Sequence, residues 1–286
     1  MKKRYIFLSI VLLLLLIFLH SNSGYIKTGK YTVTSAKIPA GFDGVRILQL
    51  TDLHSHEYGK NSKNLISKIR KIDPDYIFCT GDMMNSWDDD GGVFLNLVEQ
   101  IAGEYPMYII YGNHEQMSKS IDGYAEKLTQ AGGIMLNDAS VTLERDGGKI
   151  RLYGLIIPIY EYVPVDYEKP KNHSDYTYRR IETTIGAARQ DMFNLLLAHT
   201  PTKIAAYSAW GADLVLCGHM HGGIVQVPFT GGLLSPEKEF FPDYCNGYFE
   251  YNQTQMIIGT GLGYGVIPVR LFNPPELVVI TLSNSN

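Results

Sequence analysis

The sequence predicts an α/β protein in which two packed β-sheets carry helices on their outer faces. Three observations lead there. Short apolar runs of strand length alternate with segments whose apolar residues recur at helical spacing. Each early run ends in a polar residue capable of chemistry. The second half of the chain turns to hairpin-like strands, so parallel units come first and antiparallel ones later.

The elements follow in order. Residues 25–44 are a polar lead-in with strand-like alternation at Tyr31 and Val33. Val45–Leu50 reads as a buried strand ending at Thr51-Asp52. Lys63–Ile72 places Leu65, Ile66 and Ile69 on one helix face. Tyr76–Cys79 is a second strand, closed by Thr80-Gly81-Asp82. Val93–Ala102 is a helix, and Met107–Tyr111 a strand closed by Gly112-Asn113-His114. Val141–Leu143 and Ile150–Tyr153 flank Arg145-Asp146-Gly147-Gly148 as an antiparallel hairpin. The stretch 159–178 holds Tyr160, Tyr162, Tyr167, Tyr176 and Tyr178 with little periodicity. It is expected either to pack on itself as a surface loop or to fold over a site and grip substrate with Arg179 and Arg180. Arg180–Arg189 is predicted helical. Phe193–Ala198 is a strand leading to His199, and Leu214–Cys217 one leading to Gly218-His219-Met220-His221-Gly222-Gly223. Further strands are expected near Tyr248–Tyr251, Met256–Ile258 and Leu277–Leu282.

Composition bounds the function. Of 286 residues 45% are hydrophobic and 19% charged, enough to bury a core and too few charges for a disordered chain. The net charge of −4 disfavours a general nucleic-acid surface, which needs a basic face. Three cysteines exclude a disulfide scaffold, and Cys79 and Cys217, inside apolar runs, are expected to act as small core residues.

The N-terminus reads as an address. Lys2, Lys3 and Arg4 precede an apolar run from Tyr5 to Leu19, broken only at Ser9. Fifteen helical residues span roughly 22 Å, against the ~30 Å of a hydrocarbon core. Ser21-Asn22-Ser23 offers small residues for cleavage before Gly24. A single-pass anchor is the preferred reading and a cleaved signal the alternative. Either way the positive head stays inside and the rest of the chain lies outside the cytoplasm. The expected organisation is therefore residues 1–24 as signal anchor or signal peptide, 25–44 as lead-in, and 45–286 as one catalytic domain.

The polar residues that follow apolar strands are Asp52 and His54, Asp82 and Asn85, Asn113 and His114, His199, then His219 and His221. Carboxylate, amide oxygen and imidazole form the ligand set of first-row divalent metals such as Mn, Fe and Zn. The absence of cysteine from this set argues against a thiolate zinc site. Parallel α/β sheets bind ligands at the carboxyl ends of their strands, where these residues stand. Other nearby residues have blander readings. His56 is expected to be an exposed loop residue, Asp88-Asp89-Asp90 a solvated acidic loop, Glu115 an organiser of loop structure, and His173 a surface residue. Gly222 and Gly223 are expected to allow backbone near the site or to serve simple turns.

Asp52-Leu53-His54, Gly81-Asp82-x-x-Asn85, Gly112-Asn113-His114-Glu115, His199 and Gly218-His219-Met220-His221 together resemble the calcineurin-like metallophosphoesterase signature. Gly261-Leu262-Gly263 and Pro268-Val269-Arg270, before Pro275-Glu276, are similar to the membrane-associated bacterial subgroup called YkuE-like. The resemblance implies a four-layer αββα sandwich with two mixed sheets and two divalent metal ions. It implies that Asp52, His54, Asp82 and His221 hold one ion, and that Asp82, Asn113, His199 and His219 hold the other. His114 would be the catalytic histidine beside the leaving oxygen. The implied activity is hydrolysis of a phosphoester by a hydroxide activated between the metals. A pyrophosphatase acting on a nucleotide-linked lipid or sugar is the alternative within enzymes. A non-catalytic metal-binding surface protein is the alternative outside them.

Overall fold

The structure, a computed structural model, describes residues 2–21, 24–87, 90–162, 177–223, 226–227, 231–265 and 270–285. The chain runs α1 (Lys2–Ser21), β1 (Lys27–Ser35), β2 (Arg46–Leu50), α2 (Lys63–Ile72), β3 (Tyr76–Cys79), α3 (Gly92–Ile101), β4 (Met107–Ile109), α4 (Asn113–Met117), α5 (Tyr124–Gln130) and β5 (Ile134–Met135). It continues through β6 (Ala139–Arg145), β7 (Gly148–Leu155), α6 (Tyr178–Ile185), β8 (Phe193–Ala198), α7 (Ile204–Trp210), β9 (Leu214–Cys217), β10 (Gln226–Val227), β11 (Gly231–Gly232), β12 (Gly247–Tyr251), β13 (Thr254–Ile258) and β14 (Glu276–Asn284).

Two six-stranded sheets result, in the orders β1-β14-β2-β3-β4-β5 and β12-β13-β9-β8-β7-β6. Both are mixed. In the first, β14 and β2 are antiparallel and the other neighbours parallel. In the second, β7, β8, β9 and β13 are parallel, with β6 and β12 antiparallel at the edges. The lead-in belongs to the first sheet, because β1 pairs along its whole length with β14.

Strand alternation explains the layering. In β3, Ile77 and Cys79 face α2 and α3, while Phe78 faces the other sheet. In β8, Leu195 and Leu197 face the first sheet, while Leu196 and Ala198 face α6 and α7. In β9, Leu214 and Leu216 point inward, and Val215 and Cys217 outward. Strands buried on both faces must be apolar on both, which is why these runs lack polar alternation. Three apolar clusters follow: one between the sheets and one under each helical layer. This is the four-layer sandwich.

The helices obey local signals. Leu65, Ile66 and Ile69 bury one face of α2, and Arg70 and Lys71 occupy its last turn, where cations suit the helix dipole. The predicted helix over Arg180–Arg189 stops earlier, at Ile185. Gly186 takes φ 82°, ψ 175°, a conformation only glycine adopts without strain, and its N–H closes the turn on the Glu182 carbonyl at 2.9 Å. Asp88 and Asp89 lie outside the described residues. Asp90 accepts the Gly92 N–H at 2.8 Å at the start of α3. His173, Tyr167 and Tyr176 also lie outside. Cys79, Cys217 and Cys245 are buried free thiols.

Among the described residues, no helix is long and apolar enough to cross a membrane. The membrane segment read from the sequence is therefore not seen as a span. Lys2–Ser21 is nonetheless a 20-residue helix, with Tyr5, Ile6, Phe7, Leu12 and Leu13 exposed.

The inter-sheet layer gives a direct test. Phe78 is fully buried, with its ring 5.7 Å from that of Tyr108 and perpendicular to it. Phe78→Ala should lower the unfolding free energy by about 3–5 kcal/mol in urea denaturation. A loss below about 1 kcal/mol would mean that the two sheets do not pack through this face.

Candidate metal centre

Parallel pairing levels the carboxyl ends of neighbouring strands. Leu50 of β2 pairs with Cys79 of β3, which pairs with Ile109 of β4, and Leu197 of β8 pairs with Leu216 of β9. The loops leaving these ends are stitched together. Asp52 N–H donates to the Gly81 carbonyl and His54 N–H to the Asp82 carbonyl, both at 3.0 Å, and Gly218 N–H donates to the His199 carbonyl at 2.9 Å. Two glycines make the close approach possible. A Cβ on Gly112 would overlap the Asp82 carboxylate, and one on Gly218 would overlap Thr51 and Asp52.

The loops deliver three overlapping clusters. Asp52, His54 and His221 form one, His54, Asp82 and His114 a second, and Asp82, His199 and His219 a third. In each, one candidate ligand atom per residue lies within 4.8 Å of the others. Asp82 Oδ2 is 3.0 Å from His199 Nε2, 3.9 Å from His54 Nε2 and 4.0 Å from His114 Nε2. Asp52 Oδ1 is 3.5 Å from His221 Nε2, 3.8 Å from His199 Nε2 and 3.9 Å from His54 Nε2. His54 and His221 bring their Nε2 atoms within 3.0 Å. Asn113 lies between Gly112 and His114, both in contact with Asp82. Asp52, His54, Asp82, Asn113, His114, His199, His219 and His221 are all buried, and Asn85, the ninth strand-end residue, is half-buried.

The donor set fits a divalent cation. Asn113 Oδ1 is buried and accepts no hydrogen bond among the described residues. A polar atom left unpaired in the interior costs about 1–3 kcal/mol, so it calls for a partner. The electrostatics ask for positive charge. Burial opposes a charged His199, yet the Asp82 and Asp52 carboxylates outweigh it and raise the imidazole to about 10. Burial likewise opposes an ionised Asp82, but His199, His114 and His54 hold it well below the usual carboxylate range. For His54 burial wins over both carboxylates and lowers it to about 4, leaving a neutral ring with a lone pair to offer.

Neighbouring groups aim the rings. His54 Nδ1–H donates to Asn85 Oδ1 at 3.1 Å, while Asn85 Nδ2 donates to the His54 carbonyl at 3.0 Å, which leaves Nε2 facing the centre. His199 Nδ1–H donates to the Thr80 carbonyl at 2.8 Å. Such outer partners fix which nitrogen a metal meets. His114 is set the opposite way. Its Nδ1 accepts the Ser86 N–H at 3.2 Å, so the neutral ring carries its proton on Nε2, toward Asp82.

Glu115 does what its sequence position suggested. Its carboxylate accepts backbone N–H groups from Asp82 (2.9 Å), Met83 (2.6 Å), Met84 (3.2 Å) and Gly112 (2.7 Å). One buried side chain thus holds the loops after β3 and β4 together. The backbone stores strain here as well. Asp52, His54, Asp82, His219 and His221 all have φ between 47° and 68°. Non-glycine residues pay about 1–3 kcal/mol each for sparsely populated conformations, and such outliers cluster where function requires a fixed geometry.

Some placements differ from expectation. His56 is not an exposed loop residue: its ring is partly buried, perpendicular to Tyr58 at 4.6 Å and to Tyr264 at 5.2 Å. Gly222 and Gly223 keep to their expected turn duty, with φ of 64° and 75°, and let Asn273 and Gly232 pack close. In the Tyr-rich stretch, Tyr162 reaches the centre, with its ring 4.9 Å from that of His219. Arg180 is held by Glu161 at 3.3 Å and stacks over Tyr160, so it serves the chain's own packing. Two neighbours of the centre gave no sequence signal. The exposed Trp87 ring stands edge-on to His114 at 5.6 Å, and Glu237 Oε1 lies 2.6 Å from His219 Nε2.

Glu115 supplies the prediction. Glu115→Ala should cost about 3 kcal/mol or more in urea unfolding, since it strands several buried N–H donors at once. Glu115→Gln, which keeps one acceptor, should fall between. A cost below about 1 kcal/mol for Glu115→Ala would show that the two loops do not depend on this carboxylate.

Comparison with known proteins agrees with the geometry. The chain is 29% identical over 266 residues to the metallophosphoesterase YkuE of Bacillus subtilis (strain 168), covering 91% of this chain and 87% of that protein. It is 24% identical over 279 residues to the metallophosphoesterase YkoQ of the same organism, covering 95% and 97%. It is 20% identical over 306 residues to the UDP-2,3-diacylglucosamine pyrophosphatase LpxG of Chlamydia muridarum (strain MoPn / Nigg), covering 88% of each. The family model for calcineurin-like phosphoesterases matches residues 45–223, a stretch that holds every residue of the candidate centre. This chain belongs to the calcineurin-like phosphoesterase family, in its YkuE-like subgroup.

Proposed function

We propose that this protein hydrolyses phosphoesters at a centre of two divalent metal ions. Asp52, His54, Asp82 and His221 would hold one ion, and Asp82, Asn113, His199 and His219 the other. The observation that carries the reading is that buried imidazoles from three loops converge on one carboxylate, Asp82, beside the buried and unpaired Asn113 Oδ1. Two divalent ions supply Lewis acidity toward a phosphoryl group and hydroxide at neutral pH. The chain's own residues do the rest. Asp82, with His54 on one side and His199 on the other, is the carboxylate placed to be shared. Asn113 donates a neutral oxygen, so it adds no negative charge against an anionic substrate. His114 carries its proton on Nε2 and presents it toward the centre, where a departing alkoxide needs a proton. The backbone N–H groups of Asp82 and Gly112 are taken by Glu115 and that of His114 by Asp82, so their task is to fix the loops.

A second reading of the substrate is favoured by two observations. LpxG is named for a nucleotide-linked lipid pyrophosphate, and the exposed Trp87 ring beside His114 offers an apolar surface at the edge of the centre. In that reading the bond broken is a pyrophosphate within a lipid-linked nucleotide. For location, we infer a catalytic domain held at a membrane outside the cytoplasm. The support is the exposed apolar side chains of α1 behind Lys2, Lys3 and Arg4.

The purified protein should hydrolyse an aryl phosphodiester or monoester with added Mn²⁺, and a chelator should abolish the activity. Asp82→Asn and His219→Ala should each remove most turnover. His114→Ala should slow turnover by about 10²–10⁴-fold with metal content unchanged, as loss of a general acid does. Full activity in Asp82→Asn would sink the two-metal reading. Cell fractionation tests the location: the full chain should sediment with membranes, and a chain lacking residues 1–24 should not. Equal distribution of the two would remove the membrane proposal.

A further inference from the structure

We infer that Glu237 is the positioning residue of His219, taking the proton on Nε2 so that Nδ1 is the nitrogen offered to the metal. The inference rests on the metal-centre reading above. Glu237 Oε1 lies 2.6 Å from His219 Nε2, and both side chains are largely buried. An ionised carboxylate only accepts hydrogen bonds, so the hydrogen must sit on Nε2. A neutral imidazole then has its single lone pair on Nδ1. Carboxylate–imidazole–metal chains of this kind fix the tautomer and make the ligand nitrogen more basic.

The surrounding chain is built to hold that contact. Glu237 sits on a narrow loop between β11 and β12. The loop closes on itself through a bridge between Leu234 and Phe240. The Ser235 N–H donates to the Glu239 carbonyl at 2.9 Å, and the Lys238 N–H to the Ser235 carbonyl at 2.9 Å. Its base is pinned beside the candidate ligands, where the Leu234 N–H donates to the Gly223 carbonyl at 3.3 Å and Gly223 packs on Gly232. Gly223 is two residues beyond His221, so the loop that carries Glu237 is anchored to the segment that carries the His pair. Tyr162 and His199 also pack against the His219 ring in T-shaped contacts, at 4.9 Å and 5.2 Å between ring centres. With Nε2 engaged, these neighbours limit how the ring can turn. The His219 N–H donates to both Asp52 oxygens at 3.1 Å, which fixes the residue from the other end.

Two other candidate ligands have weaker partners at this position: an amide oxygen for His54 and a backbone carbonyl for His199. A carboxylate partner is the stronger acceptor. Loss of Glu237 should therefore weaken the ion held by His199 and His219 and spare the one held by Asp52, His54 and His221.

The test is a Mn²⁺ titration of the full chain, followed by calorimetry and by metal content after equilibrium dialysis. Wild type, Glu237→Ala and Glu237→Gln are compared. Wild type should bind two ions. Glu237→Ala should bind one ion as wild type does and the second about 10–100-fold more weakly. Glu237→Gln should recover part of the loss, because its amide oxygen still accepts the Nε2 proton. Wild-type affinity at both sites in Glu237→Ala would overturn the inference. Equal loss in the Ala and Gln variants would also overturn it, since that is the behaviour of a direct ligand. A wild-type chain that binds no Mn²⁺ would instead remove the metal-centre reading beneath it.

Discussion

Two carboxylates, Asp52 and Asp82, are buried beside one another in a ring of imidazoles, and the rest of the structure is arranged around that fact. An isolated buried carboxylate is unstable unless it is paired, hydrogen-bonded or neutralised. Asp52 meets this demand with the Thr51 hydroxyl at 2.7 Å and the His219 N–H at 3.1 Å. Asp82 meets it with the His114 N–H at 2.8 Å and the His199 ring at 3.0 Å. These partners come from loops after β2, β4, β8 and β9, so neither sheet alone can satisfy both acids. The inter-sheet core, with Phe78 facing Leu195 and Leu216 within one cluster, is what brings the two sets of loops together.

The same demand accounts for the strained backbone. Five of the residues at the centre hold left-handed φ values that their side chains disfavour. The loops are turned sharply so that short side chains from separate strands reach one volume. Glycines at Gly112 and Gly218 let neighbouring loops touch, and Glu115 absorbs the N–H groups that such turns leave unpaired. The cost is repaid by burial elsewhere, in strands apolar on both faces. A cation at the centre would lower the cost further, since the field there already favours positive charge on His199.

Much of this was legible in the sequence, for a physical reason. Strands buried on both faces are largely apolar runs, so the polar residues just beyond each run mark a sheet end. Asp52, Asp82, His199 and the His219–His221 pair all stand within four positions of such an end. Helix α2 was legible because its buried face has regular spacing. Other features carry no such signal. Helix α7, with its small residues Ala205, Ala206 and Ser208, lacks a clear period, and α6 ends at Gly186 through backbone geometry that spacing does not reveal. Glu237 lies in an irregular loop 18 positions beyond His219, and only the folded chain shows that the two meet. Glu115 was legible as an organiser because it follows the strand end directly. The number of N–H groups that it gathers was not.

The proposed function requires that these loops hold two divalent ions sharing Asp82. Anomalous X-ray diffraction from crystals grown with Mn²⁺ tests it most directly. Two anomalous peaks are expected, both in contact with Asp82, one also touching Asp52, His54 and His221 and the other Asn113, His199 and His219. A single peak, or peaks that Asp82 does not touch, would contradict it.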